Sequence, residues 1–160
     1  MVTLENLYDI ADNEGIDIIP HTFSKTKKAA CMCTPIGKNI LLDKSHIGTA
    51  AEEKVILSEE LSHYETNAFY TIRDNLNSRT ARCNRLRQEA KAQKHSYIRM
   101  IPPEELQAFT KKTKPINLYD IAEYFGVTVR FLEEAMTYYR TKGMMLPNEE
   151  RLGGRKYGEM

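Results

Sequence analysis

Apolar residues at Leu4, Leu7, Tyr8, Ile10 and Ala11 fall on one helical face, so the chain is predicted to open with a helix over residues 4–13 that stops near Gly15. The pattern then shortens. Residues 16–19 and 29–34 are apolar runs bounded by turn formers, and they read as strands. Pro35-Ile36-Gly37-Lys38-Asn39 reads as a turn into Ile40-Leu41-Leu42-Asp43, which makes residues 29–43 a hairpin. Thr49 is placed to cap a helix with Glu52 as its capping-box partner, and Val55, Ile56 and Leu57 carry that helix towards Tyr70. Residues 74–84 begin polar and irregular, at Asp74-Asn75-Leu76-Asn77-Ser78. A long helix is then predicted over residues 79–100, ended by Pro102-Pro103. Shorter helices follow near 104–111 and 116–125, Gly126 and Thr128 mark a turn, and a last helix covers 129–141. Beyond Gly143, the residues Pro147, Gly153, Gly154 and Gly158 make a loose tail.

These elements predict an α+β fold, a small and mostly antiparallel three-stranded sheet packed by helices, with a C-terminal helical pair. The expected organisation is a core over 1–103, a helical segment over 104–143 packed on it, and a tail over 144–160. Length supports this. The chain has 160 residues, 41% of them hydrophobic, which is enough to bury one core without disulfides. Asn6-Leu7-Tyr8-Asp9-Ile10-Ala11 recurs as Asn117-Leu118-Tyr119-Asp120-Ile121-Ala122, and Gly15 corresponds to Gly126. The middles of the two halves do not match, so the echo reads as two similar short helices and not as a repeat fold.

The net charge of +1 gives no global attraction to nucleic acid or membrane. The first residues lack a basic segment followed by an apolar run, and no stretch has the apolar length of a membrane span. The expectation is therefore a cytoplasmic protein with three reduced cysteines. Cys31 and Cys33 lie two apart on a strand, with no second Cys or His pair near them in sequence, and read as packing residues.

The chemistry concentrates in Glu59-Glu60-Leu61-Ser62-His63. Residues four apart share a helix face, so Glu59 and His63 project together, with Glu60 about a quarter turn away. That spacing offers two zinc ligands with a general base directly after the first. A carboxylate is a competent zinc ligand, so Glu59 can stand where histidine is commoner. A third ligand must come from another element. Residues 75–103 contain Arg79, Arg82, Arg85, Arg87, Lys91, Lys94 and Arg99, and one acid, Glu89. Helical spacing sets Glu89 beside Ala92 and Ser96, small residues that allow close approach. Three protein ligands would leave a fourth position for water, as in catalytic zinc sites. Two carboxylates and one imidazole would also cancel the charge of zinc and weaken its hold on that water's proton, unless basic neighbours compensate. The other reading of the pentapeptide is a solvated helix face with a structural histidine.

Residues 55–64, Val-Ile-Leu-Ser-Glu-Glu-Leu-Ser-His-Tyr, resemble the active-site helix of the ImmA/IrrE metallopeptidases. In that family an apolar run precedes His-Glu-Leu-Gly-His-Tyr, and members from Firmicutes and their phages often carry Glu-Glu-Leu-Gly-His. Gln88-Glu89-Ala90-Lys91-Ala92, continuing to Ile98-Arg99-Met100-Ile101-Pro102, is similar to the second motif, and residues 118–128 are similar to the helix-turn segment after it. Ser62 replaces the usual Gly, and His95-Ser96 replaces an aromatic-Ala pair. The resemblance covers about residues 4–142. It implies a zinc-dependent endopeptidase with a zincin-like minimal core over 1–103, in which Glu59, His63 and Glu89 hold Zn2+ and Glu60 is the general base. It also implies the substrate and partner, a cognate helix-turn-helix repressor of a mobile element or stress regulon.

In that reading an activated water attacks the scissile carbonyl, and Glu60 takes its proton and hands it to the leaving amine. Tyr64, Tyr70, His46 and His95 are candidates for steadying the oxyanion, and each is also an ordinary packing or surface residue. Two other functions compete. Residues 116–140 have the rhythm of a helix-turn-helix, but their second helix carries Glu133 and Glu134 and offers only Arg130 and Arg140 as cations, so direct nucleic-acid binding is not expected. The basic helix over 79–99 suits an acidic partner protein as well as nucleic acid. The remaining alternative is a catalytically weak or inactive peptidase-fold protein that binds a protein or DNA as a regulator.

Overall fold

In the computed structural model, which describes residues 1–69, 78–111 and 117–146, the order of elements is helix, three strands and five further helices. Helix α1 (Leu4–Asn13) leads into β1 (Ile16–Pro20), β2 (Ala29–Thr34) and β3 (Gly37–Leu42). A short 3-10 turn at Lys44–His46 precedes α2 (Ala50–Glu65), α3 (Arg79–Met100), α4 (Pro103–Thr110), α5 (Leu118–Phe125) and α6 (Val129–Thr141). The α+β class follows from the sequence pattern, but the sheet is mixed and not mostly antiparallel. Its order is β1-β3-β2, with β3 antiparallel to β2 and parallel to β1. The reason is topological. The hairpin returns β3 to the direction of β1, and β3, which buries Ile40 and Leu42, takes the centre and pairs on both edges.

The hairpin is also tighter than expected. Thr34 pairs with Gly37, so the connection is Pro35-Ile36, and Lys38 and Asn39 belong to the strand. Tyr64 fastens this hairpin to α2. Its hydroxyl lies 2.6 Å from both the Met32 and the Asn39 carbonyl oxygens, with one proton to give to either, and accepts from the N–H groups of the same residues at 3.0 Å.

Thr49 caps α2 as its sequence predicts, accepting from Glu52 N–H at 3.1 Å. The Glu52 carboxylate reaches one residue further back than a capping box requires and accepts from Gly48 N–H at 2.8 Å. The helix ends at Glu65, short of the Tyr70 expected, because Asn67 turns left-handed with φ of 49°. Ala68 N–H then bonds back to the His63 carbonyl at 2.9 Å and Asn67 N–H to that of Tyr64 at 3.1 Å, a Schellman closure. Tyr70, the irregular stretch 74–77, the first residue of the helix expected at 116, and Pro147 with the rest of the tail lie outside the described residues.

Helices α3 and α6 keep their predicted bounds, while α4 starts one residue early because Pro103 suits the first helical turn. The sequence echo places its asparagines differently. Asn117 is the N-cap of α5, paired with Asp120, whereas Asn6 is the third residue of α1 and pairs with the Thr3 cap. Both segments end on a left-handed glycine, Gly15 at φ 63° and Gly126 at φ 62°.

One apolar cluster runs through the molecule, from Leu7 and Ile40 through Leu57 and Leu61 to Phe125, Phe131 and Tyr139. Met144 and Leu146 pack against it after α6. Two polar ties join the C-terminal helices to this core. Tyr139 donates to the Ile101 carbonyl at 2.6 Å, and the buried Lys54 ammonium donates to the Phe125 carbonyl at 2.7 Å, at the end of α5. Burial lowers the pKa of Lys54, yet its amine closes a helix terminus that would otherwise lose a partner. Lys54→Met is expected to destabilise the fold by about 1–3 kcal/mol, the cost of an orphaned buried carbonyl. Urea unfolding checks this, and an unchanged midpoint would show that the tie contributes nothing. Among the described residues no helix is long and apolar enough to cross a membrane.

Candidate metal centre

The Schellman closure of α2 shapes the site. It brings the Ala68 carbonyl back over the last turn, where it lies 2.7 Å from His63 Nδ1. A carbonyl only accepts, so Nδ1 carries a proton and Nε2 is the nitrogen left to meet a metal or an acid, the arrangement seen in histidines that bind metal. Nε2 faces α3 and lies 3.4 Å from Glu89 Oε2. Residues thus spaced far apart in sequence meet because α2 and α3 pack closely along small side chains. Ser58 and Ser96, both fully buried, share a hydrogen bond of 2.9 Å, and Ala92 is buried one turn from Glu89. Burial opposes protonation of His63, but Glu89, the Ala68 carbonyl and Glu60 outweigh it and hold its pKa above the ordinary value.

Glu59 and Glu60, four and three residues before this histidine on α2, are both largely withdrawn from water. Burial, reinforced by Glu60 and Glu134, raises the pKa of Glu59 to about 7. Burial also raises that of Glu60, against the opposing pull of His63 and a hydrogen bond with the Cys31 thiol. Cys31 itself is pushed up to about 12 by burial and then by Glu60 and Glu89. So Cys31 does pack against the core, yet it also borders the carboxylates. Cys33, two residues on, is exposed and is not a packing residue.

Two neighbours of Glu59 are not among the site residues that the sequence suggests. Tyr97 is buried on α3, and its hydroxyl donates to Glu134 Oε2 on α6 at 3.3 Å. Burial, then Glu134 and Glu59, holds the Tyr97 phenol well above its usual pKa. Tyr97 lies two helical turns after Glu89, and that spacing was a signal available in the sequence. No local signal marks Glu134, which arrives through the packing of α6 on α3. Tyr97 and Glu134 also line a cleft of about 800 Å³ between those helices, together with Lys94, Arg130 and Tyr138.

The remaining candidates are engaged elsewhere. Tyr64 is held by the hairpin backbone, and His46 Nδ1 lies 2.9 Å from Asp43 Oδ2. His95 Nδ1 lies 3.2 Å from Glu65 Oε2, beside the Arg99–Glu65 ion pair.

The donor set suits a divalent cation. Glu59 and Glu60 are kept from water at raised pKa, and a positive ion between them and Glu89 would lower that cost. His63 and Glu89 are already in contact, while Glu59 acts on both through its charge. The side chains are not yet converged. Among the described residues no group of three or more His, Cys, Asp or Glu is arranged to hold a metal. Compared with known proteins, the chain matches no family model, no curated protein and no solved structure.

Proposed function

We propose that this protein is a zinc-dependent endopeptidase of the ImmA/IrrE type, working in the cytoplasm on a cognate helix-turn-helix repressor of a mobile element or stress regulon. The observation that carries the reading is the His63–Glu89 contact, with His63 oriented through its other nitrogen by Ala68. A helix bearing Glu59, Glu60 and His63 under a three-stranded sheet, crossed by a second helix that brings Glu89, is compatible with a zincin-like minimal core. Glu59, His63 and Glu89 would hold the metal. When bound, zinc would supply a Lewis acid towards water and the scissile carbonyl. Glu60 would accept the water's proton and return it to the amine nitrogen as the peptide bond breaks. Burial suits it to both steps, because a carboxylate with raised pKa is a stronger base and releases its proton nearer neutrality. The Tyr97 hydroxyl, which donates to Glu134, borders this cluster through the charge of Glu59.

Metal analysis tests the reading. Purified protein is expected to carry about one zinc per chain, and a chelator is expected to lower its melting temperature, since a ligand bound only to the folded state stabilises it. Absence of zinc, together with an unchanged melt in chelator, would sink the proposal.

The second reading is a catalytically weak or inactive peptidase-fold regulator. It is favoured by one observation, that Glu59, with its pKa near 7, is not drawn into a three-donor group with His63 and Glu89. That reading predicts repressor binding without cleavage.

A further inference from the structure

The first half of α3 stands outside the fold. Arg79, Arg82, Arg85 and Arg87 are exposed, Leu86 keeps 69% of its surface exposed, and the buried residues of this helix begin at Ala92. No acid lies among residues 79–87, and the four guanidinium groups spread over roughly half of the helix circumference. This placement works against the helix. Its first turn holds no acidic residue, Ser78 makes no side-chain capping bond, and Arg79 and Arg82 put positive charge at the positive end of the helix dipole. Neither burial nor capping offsets that charge.

The arm ends at the candidate centre. Glu89 is two residues past Arg87, and Arg79 lies about 15 Å along the axis from Glu89. An extended peptide leaving the His63–Glu89 pair would reach Arg79 in about five residues. At the centre the sign of charge reverses, through Glu59, Glu60, Glu89 and Glu134.

We propose that the exposed amino-terminal half of α3 docks an acid-rich segment of the substrate protein beside the bond to be cut. This rests on the peptidase reading. A nucleic-acid backbone carries negative charge along its whole length, so a strand laid on the arm would run into the acidic centre. A peptide can keep its acids on the arm and present neutral residues to the site. Complementary charge at the rim of an interface selects the partner and speeds encounter.

The test is fluorescence anisotropy with the full-length Glu60→Gln chain, which prevents cleavage. The probes are a labelled peptide with a block of glutamates at one end, the same peptide with glutamines, and a short DNA duplex. The glutamate peptide is expected to bind about tenfold tighter or more than the glutamine peptide, with an advantage that fades as salt rises. Arg79→Gln/Arg82→Gln/Arg87→Gln is expected to erase that advantage while the melting temperature holds or rises slightly, because these side chains are exposed and Arg79 and Arg82 oppose the helix dipole. Equal affinity for the two peptides would overturn the proposal, as would a duplex that displaces the glutamate peptide. The salt series on the chain with its arginines intact decides the matter even if the triple variant folds poorly. Preference for the glutamate peptide with no cleavage by the parent chain would sink the peptidase reading alone. Cleavage without that preference would sink the docking proposal alone.

Discussion

Glu60→Gln is expected to lower repressor cleavage by about 10²–10⁴-fold, the usual contribution of a positioned general base. Zinc content should stay unchanged, because Glu60 is not among the proposed ligands. The substitution is close to isosteric. The amide can still meet the Cys31 thiol that bonds the Glu60 carboxylate, and it removes a buried charge whose burial is unfavourable. Melting temperature should therefore hold or rise while turnover collapses. That opposite movement separates a lost base from a damaged fold. Cleavage of the cognate repressor, followed by gel with both proteins at equal zinc loading, is the measurement. Equal rates would assign the activity to a contaminant.

Much of the framework was legible because periodicity reports directly on which face is buried. The long helix over 79–100, the stop at Pro102-Pro103 and the turn at Gly126 all rest on local signals that packing had no cause to override. Sheet topology did not, since strand patterns show which face is apolar but not which neighbour a strand takes. The end of α2 was misplaced for a related reason. Asn67 in a left-handed conformation stops the helix, and asparagine outside a turn pattern gives little warning of it. At the site, Glu89 could be picked out as the one acid in a basic stretch, and it meets His63. Glu134 could not, because only the docking of α6 brings it near Glu59. Cys31 looked like a strand residue with a simple packing role, and its hydrogen bond to Glu60 depends on how α2 lies under the sheet.

In the proposed ligand set Glu59 stands where histidine is commoner, and Glu59→His is expected to make a faster enzyme. Two carboxylates and a neutral imidazole would cancel the charge of a divalent ion, which leaves it a weak acidifier of water. With imidazole at position 59 the ligand set keeps one negative charge from Glu89, and the metal keeps a net positive one. A drop of one unit in the pKa of the activated water corresponds to about tenfold more of its reactive form below that pKa, so turnover near neutrality is expected to rise about tenfold. The same change removes one of several carboxylates that repel one another, since Glu60, Glu89 and Glu134 all bear on Glu59. Thermal stability of the chelated protein should accordingly increase. Turnover of the variant against its parent at saturating zinc, with melts in chelator alongside, checks both halves. A fully zinc-loaded Glu59→His protein that cuts no faster would show that charge at the metal does not limit the rate. The slow step would then lie in docking or release of the partner, where the arginine arm of α3 acts.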